Sequence, residues 1–338
     1  MKCDILVSVL IPVYGVEQYI ERCARSLFEQ TYSNLEYVFV NDCTPDKSIE
    51  VLRKAVENYP GRKAHVRIID HERNRGLAAA RNTALDNATG EFVCHVDSDD
   101  WLELDAIEKM VEKQLATEAD IVSGNMLVHT IWGVEEYYEP KYNNKEERLL
   151  GMLPASLNHN LIRRIIRRSL FDDNHVRALE GCNMAEDLYF MVRICWFAER
   201  FSTIDSFVYH YDLNRQNSYT RESNAKKRVS NQMQIVNNWV GVVDFLADKG
   251  EVYYENAISY MAKSVKEAMR LALKFGMKSY FEELAIIIYG NKVLKEKMGW
   301  KNKTFGGLAY SYPVMRLKNM YDRAFAFFRS KLNRQTNA

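Results

Sequence analysis

Glu91-Phe92-Val93-Cys94-His95-Val96-Asp97-Ser98-Asp99-Asp100-Trp101 is a short apolar run that ends in three carboxylates within four positions. Val93, His95 and Asp97 alternate with Cys94, Val96 and Ser98, the period-two pattern of a strand. A buried strand that stops in acid puts that acid at the carboxyl edge of a sheet, where open α/β sheets bind ligands. Asp97 and Asp99 are two apart, so in extended backbone their side chains leave on the same side. Carboxylates held side by side repel unless a cation lies between them. A helix N-cap explains one acid, Asp99 or Asp100, ahead of a helix starting near Trp101. It does not explain three, and the stretch reads as a divalent-metal site.

On the N-terminal side, strand-like and helix-like segments alternate. Ile5–Pro12 reads as a strand buried on both faces and stopped by Pro12. Val16–Gln30 carries Tyr19, Ile20, Cys23, Leu27 and Phe28 at helical spacing. A second strand, Leu35–Val40, runs into Asn41–Asp46 and a helix over Lys47–Asn58. His65–Ile69 is a third strand, and Leu77–Ala88 an Ala-rich helix closed by Gly90. After the fourth strand, Phe92–Val96, come a helix over Asp105–Glu118 and a fifth strand opening at Asp120–Ser123. Such alternation predicts an α/β domain with a mostly parallel sheet flanked by helices. The polar clusters after the strands, including Val13-Tyr14-Gly15, Asn41–Asp46 and Asp70–Arg75, then converge with Asp97–Asp100 at one edge.

Residues 124–223 are less regular. Glu135–Tyr142 reads as an excursion or hairpin. In Leu161–Ser169 apolar pairs alternate with Arg163-Arg164 and Arg167-Arg168, most of which read as solvated. Glu186–Phe201 is a strong helix with Leu188, Met191, Val192, Cys195 and Trp196 as its stripe, and Ser206–Tyr211 is strand-like. From residue 224 the chain is helical, broken at Gly250, Gly276, Gly290 and Gly306-Gly307. The expected organisation is a domain over 1–223, in halves 1–123 and 124–223, followed by a helical C-terminal extension over 224–338.

The 338 residues are 47% hydrophobic and 27% charged, with a net charge of +1, so no overall field argues for nucleic acid as a partner. Residues 290–338 nevertheless hold eleven Lys or Arg against Glu296 and Asp322, which leaves the rest of the chain net negative. Within that tail, Pro313–Leu332 mixes Phe325, Phe327, Phe328, Leu317 and Met320 with Arg316, Lys318, Arg323, Arg329 and Lys331. This pattern suits a helix lying on an anionic membrane surface; the alternative is a helix that packs its aromatics on the domain. The six cysteines form no C-x-x-C pair, and Cys94 and Cys195 sit in apolar runs, as free thiols in a reducing compartment do. With no signal-peptide pattern and no run of about 18 apolar residues, a cytoplasmic protein is expected, peripheral on the inner face of the membrane if the tail binds there.

Five motifs in order carry a family resemblance over roughly residues 5–220. Val7-Ser8-Val9-Leu10-Ile11-Pro12-Val13-Tyr14 resembles the opening strand of the family 2 glycosyltransferases, with Gly15 where the family has Asn. Val40-Asn41-Asp42-Cys43-Thr44-Pro45-Asp46 resembles the V-D-D-G-S-T-D turn, departing at Asn41, Cys43 and Pro45. Asn74-Arg75-Gly76-Leu77-Ala78-Ala79-Ala80-Arg81-Asn82 is similar to N-x-G-x-x-x-A-R-N, Asp97-Ser98-Asp99-Asp100 to D-x-D-D, and Glu186-Asp187 to the later E-D pair. The resemblance implies the GT-A fold, a Rossmann-like sheet. It also implies an inverting transfer from a nucleotide-diphosphate sugar, a UDP-sugar in this reading, to a glycan or lipid-linked glycan in cell-surface polysaccharide synthesis.

Roles follow by resemblance. Asp99 ligates Mn²⁺ or Mg²⁺, for which hard oxygens are suited. Asp97 lies at ribose and metal, with Ser98 beside it on the donor side, and Asp100 is a cap or supporting partner. Asp42 accepts from the base, or else caps a turn, a job Asp46 is also placed to do. Pro12 and Tyr14 border the base pocket, although Tyr14 also reads as a packed surface aromatic. Arg81 binds diphosphate, against the alternative of a solvated helix Arg. Asp187 is the general base and Glu186 an orienting group, against a simple helix cap for either. His210 is a candidate third metal ligand, or a His packed beneath a loop. Asp212 stands where related chains have Arg, and Arg215 is its possible replacement. Two other readings remain. A nucleotidyltransferase also uses acids on a parallel sheet, but no Gly-rich loop with Lys lies near the N-terminus. A non-catalytic sugar-nucleotide or glycan-binding subunit is suggested by Gly15, Cys43 and Asp212.

Overall fold

A computed structural model describes residues 5–154, 157–214 and 224–298, which fall into two compact units meeting in sequence at residues 221 and 222. Arg215, Gly306-Gly307 and the basic segment Pro313–Leu332 lie outside the described residues.

The first unit begins β1 (Val7–Val13), α1 (Ile20–Phe28), β2 (Leu35–Asn41), α2 (Ser48–Glu57), α3 (Pro60–Lys63), β3 (Val66–Asp70) and α4 (Leu77–Asp86). It continues β4 (Phe92–His95), β5 (Trp101–Leu102), α5 (Ala106–Thr117), β6 (Ile121–Thr130), β7 (Gly133–Tyr137) and α6 (Lys145–Met152). It closes with β8 (Arg164–Arg167), α7 (Ser169–Asp172), α8 (Glu186–Phe197) and β9 (Phe201–Asp212). The sheet order is β3-β2-β1-β4-β8-β6-β9-β5, with β7 hairpinned onto β6. The first four strands are parallel. Beyond them the sheet is mixed, because β8 runs antiparallel between β4 and β6 and β5 antiparallel to β9. The α/β class and flanking helices are those expected; what periodicity did not contain is the direction of β8. A two-residue period assigns faces and says nothing of which way a strand runs.

Pro12 does not stop β1, which continues through Val13 paired with Asn41. The Leu10 carbonyl accepts from Val96 N–H on the β4 side, where the register ends at Leu10–His95. Pro12 presents to that same edge past the end of the ladder, so its missing N–H breaks no bond.

One face of the parallel strands buries Val7, Val9, Ile11, Val13, Tyr37 and Phe39 against Ile20, Cys23, Ala24 and Leu27 of α1 and Ile107, Met110 and Val111 of α5. Each large aliphatic side chain removed from water here contributes about 1.5–3 kcal/mol. Against β1 and β2 also packs α4, whose Ala78, Ala79, Ala80 and Ala84 are fully buried. Small side chains let this helix lie close to the strands, which brings its Arg81 within reach of the sheet edge.

The second unit holds α9 (Ala225–Leu246), α10 (Glu251–Phe275), α11 (Lys278–Gly290) and α12 (Lys292–Lys297). Gly250 opens α10 at φ 130° and Gly276 ends it at φ 71°, conformations that cost a side chain strain. The stripe Ala257, Met261, Val265, Ala268 and Ala272 of α10 is buried, as are Val229, Met233, Val236 and Val243 of the neighbouring α9. Among the described residues no helix is long and apolar enough to cross a membrane.

Candidate active site

The loops after β1 and β2 are tied together first. Gly15, at φ 65°, donates its N–H to Thr44 Oγ1 at 2.8 Å, and Glu17 N–H reaches Asp46 Oδ2 at 3.0 Å. Asp46 Oδ1 accepts from the Ser48 backbone at 3.1 Å and from Thr44 Oγ1 at 2.7 Å, so the turn-capping role belongs to Asp46. Asp42 is buried and does something else. Its Oδ1 meets His71 Nδ1 at 2.7 Å and accepts from Arg75 N–H at 2.8 Å; its Oδ2 accepts from Gly76 N–H at 2.7 Å. The carboxylate therefore shapes the entry to α4. Pro12 is buried beneath this region, and Tyr14 is 46% exposed at the end of β1.

Gly76 has φ 91°, and a Cβ there would fall 2.3 Å from Asn183 Nδ2. Asn183 Oδ1 accepts from Ala78 N–H at 3.0 Å, while the Asn82 amide bonds both Ala178 O (2.9 Å) and Ala178 N–H (2.8 Å). The Gly76–Asn82 segment is thus a docking strip for residues 178–183, which lead directly into α8.

That docking puts Glu186 and Asp187, the first residues of α8, beside Arg81. Arg81 is 1% exposed, which overturns the solvated-helix alternative. Its Nη2 donates to Asp97 Oδ1 at 2.9 Å and lies 3.7 Å from Asp187 Oδ1; its Nε donates to Glu186 Oε1 at 3.2 Å. The remaining nitrogen, Nη1, is buried and has no hydrogen-bond partner among the described residues. Burial, and then the neighbouring Asp187, push the Glu186 carboxyl up. Burial also pushes Asp187 up, against the Arg81 charge, which pulls it down. The Asp187 side chain remains 21% exposed, so it reaches solvent where Glu186 does not.

On the other side of Arg81 is the acidic turn. Asp100 N–H closes onto Asp97 O at 3.0 Å. The Tyr209 hydroxyl accepts from Asp97 N–H at 3.1 Å and donates to Asp100 Oδ2 at 2.8 Å, and Asp212 N–H donates to Asp100 Oδ1 at 2.8 Å. Asp100 is buried, and burial followed by the Asp99 and Asp97 charges raises its carboxyl well above the usual range. Its work is holding the turn. Ser98 is buried too, whereas Asp97 and Asp99 are half-buried. Among the described residues no group of three or more His, Cys, Asp or Glu is placed to hold a metal ion. The Asp97 and Asp99 carboxylates are hard oxygen donors, which suit Mg²⁺ or Mn²⁺ and not a structural zinc.

His210 is engaged elsewhere. Its Nδ1 meets His129 Nε2 at 2.9 Å, its Nε2 meets Glu103 Oε1 at 2.8 Å, and its ring stacks on Trp101 at 4.6 Å. With both nitrogens taken it offers no metal lone pair, and the packed-His alternative describes it. Asp212 pairs with Arg22 at 2.9 Å. Arg163 and Arg164 are not solvated: both are fully buried and share the buried Glu139, with Arg164 Nη2 3.1 Å from its Oε2. Arg163 Nη1 also donates to Gly124 O at 3.0 Å and Arg164 Nη2 to Asn158 O at 2.7 Å, which is how two cations are accommodated around one acid. The Leu161 backbone, in the same segment, also holds the Asp187 carboxyl down against its burial. Arg167 and Arg168 are half-buried and ion-paired, Arg167 with Glu91 and Asp120 and Arg168 with Asp172. Sequence reasoning missed Arg22, Asn183 and the Tyr209 hydroxyl, whose positions carry no periodic signal.

A family model described as glycosyl transferase family 2 matches residues 8–177. Glycosyltransferase GlyA of Streptococcus pneumoniae is 39% identical over 153 residues, covering 43% of this chain and 21% of GlyA. The uncharacterised glycosyltransferase EpsJ of Bacillus subtilis is 33% identical over 217 residues, 62% of this chain and 61% of EpsJ. The chain thus spans less than two thirds of either relative. Among solved structures, residues 1–349 of Staphylococcus aureus TarS in complex with UDP superpose with a TM-score of 0.62 at 19% identity, covering 94% of this chain and 91% of that one. That likeness concerns the fold.

Proposed function

We propose a particular reaction for this chain, which belongs to glycosyl transferase family 2 and is a glycosyltransferase. The reaction is metal-dependent, inverting transfer of a sugar from a nucleotide-diphosphate donor to a hydroxyl of a glycan or lipid-linked glycan, in cell-surface polysaccharide synthesis. The donor is a UDP-sugar, in keeping with the UDP held by TarS. One observation carries the reading: the buried Arg81 guanidinium meets Asp97 on one side and Glu186 and Asp187 on the other. Acids suited to a leaving group and acids suited to an acceptor proton then lie within one side chain's reach of each other.

Asp99 and Asp97 hold Mn²⁺ or Mg²⁺, which when bound neutralises charge on the leaving diphosphate. Pro12 and Tyr14 border the base. Asp42 Oδ2, which among the described residues accepts from Gly76 N–H, offers its other lone pair to a uracil ring N–H. Asp97 and Ser98 border the ribose, and Arg81 Nη1 is available to a donor oxygen. Asp187, the more exposed acid, removes the acceptor hydroxyl's proton as that oxygen bonds the anomeric carbon. The bond from this carbon to the diphosphate oxygen breaks on the opposite face, and its electron pair leaves with the nucleoside diphosphate. Glu186 orients Arg81. Residues 1–123 serve the donor and 124–223 the acceptor, while Pro313–Leu332 holds the enzyme to an anionic membrane surface.

The test is a panel of UDP- and GDP-sugars with Mn²⁺, scored by the nucleotide released. Nucleoside diphosphate supports the reading. Pyrophosphate means a nucleotidyltransferase, and binding without turnover means a sugar-nucleotide-binding subunit.

A further inference from the structure

The acidic turn is held from several directions. Asp97 is fixed through its backbone N–H by Tyr209 and through its carboxylate by Arg81. Asp99 has a different anchor: its carbonyl accepts from Arg22 Nη2 at 2.6 Å. Arg22 comes from α1, 77 residues away, on the flank of a helix whose Ile20, Cys23, Ala24 and Leu27 face the core. The same Nη2 donates to Asp212 Oδ2 at 2.9 Å, across a separation of 190 residues. The guanidinium carbon lies 3.8 Å from the centroid of the Trp101 ring. A planar, charged fork is thus seated on an aromatic face, aimed by one carboxylate, and spends its other hydrogen bond on the backbone of the turn.

We infer that Arg22 is a positioning residue for the cation site: seated on Trp101 and aimed by Asp212, it holds the Asp99 carbonyl and so sets where the Asp99 carboxylate lies. The inference rests on the reading of Asp97 and Asp99 as the metal-binding pair. It also gives Asp212 a function. That carboxylate largely neutralises the guanidinium, so Arg22 acts by geometry and not as an added positive charge for the donor. Lysine does not replace it, because an ammonium has no plane to rest on the indole.

The experiment is calorimetric titration of the purified full chain with Mn²⁺ in the presence of saturating UDP, and with GDP in parallel. The nucleotides are also titrated alone in EDTA, and melting temperature serves as the folding control. Arg22→Gln is expected to weaken Mn²⁺ binding about 10- to 100-fold while leaving nucleotide binding in EDTA unchanged. Asp212→Asn shifts Mn²⁺ affinity in the same direction by less, and the double variant matches Arg22→Gln, since both act through one contact. Arg22→Lys, which keeps the charge and spares the fold if the Gln variant melts early, recovers only part of the affinity. Unchanged Mn²⁺ affinity in both Arg22 variants overturns the inference. So does an equal loss in EDTA, which makes Arg22 a direct contact to the anion. A wild-type chain that binds nucleotide but not Mn²⁺ overturns the cation-site reading itself.

Discussion

Arg81 Nη2 lies 2.9 Å from Asp97 Oδ1, joining the helix that follows β3 to the acid that follows β4. The guanidinium is buried, and its other carboxylate contacts come from the start of α8. Acids crowded at one sheet edge by the fold are bridged by this one cation.

Arg81→Gln leaves Asp97 without its counter-charge and Glu186 without the Nε donor it accepts from. Losing one member of a buried ion cluster costs about 3–5 kcal/mol. A lowered melting temperature together with loss of transfer is expected in calorimetry and assay. A variant as stable as wild type shows that the acids neutralise themselves.

Asp187→Asn keeps its place at the start of α8 and cannot accept a proton. Transfer is expected to fall about 10²- to 10⁴-fold, the usual contribution of a general base. Donor binding stays at the wild-type level by calorimetry. Wild-type turnover removes Asp187 from the base role.

The pH profile follows from the same side chain. Burial raises Asp187 to about 6 while Arg81 opposes the rise. The base works ionised, so kcat/KM, which reports the free enzyme, falls as pH drops through that value, above the ordinary Asp range of about 3.9. Any Arg81→Gln enzyme that retains turnover has this acid limb displaced to higher pH, because the lowering charge is gone.

Gly76→Ala strains a backbone at φ 91° and drives a methyl into Asn183. The cost is on the order of 1–3 kcal/mol. Loosening the Asn183 contact also frees the start of α8, so transfer falls more than stability alone accounts for. Gly61→Ala, with nothing within 4 Å of its Cβ, is the matched control and leaves both unchanged.

Cosedimentation with anionic liposomes at low salt tests the basic tail. The full chain pellets and a truncation at Tyr310 does not, with binding lost as salt rises, each basic residue adding about 1 kcal/mol near the surface. Equal pelleting of the two proteins means the tail is not the anchor.

Much of the molecule was legible in the chain itself. The alternation from Ile5 to Ser123 gives most elements of the first half, because a strand's period and a helix's stripe are written in adjacent residues; it does not give α3, nor β5, which stands where a helix was expected near Trp101. Gly250 and Gly276 mark the ends of α10 for the same local reason. The acids after β4 and at the start of α8 were visible as motifs. Their meeting was not: Arg81 and Glu186 are 105 residues apart, and only the docking of Asn82 and Asn183 turns two motifs into one site. The burial of Arg163 and Arg164 around Glu139 and the direction of β8 were equally invisible, since charge and period do not reveal the partner that arrives from elsewhere. Local backbone preference is encoded position by position, and the sequence by itself determined most of the elements and the acids. Which acid is paired, capped or left reaching solvent is decided by side chains brought together over long separations, and that belonged to the tertiary structure alone.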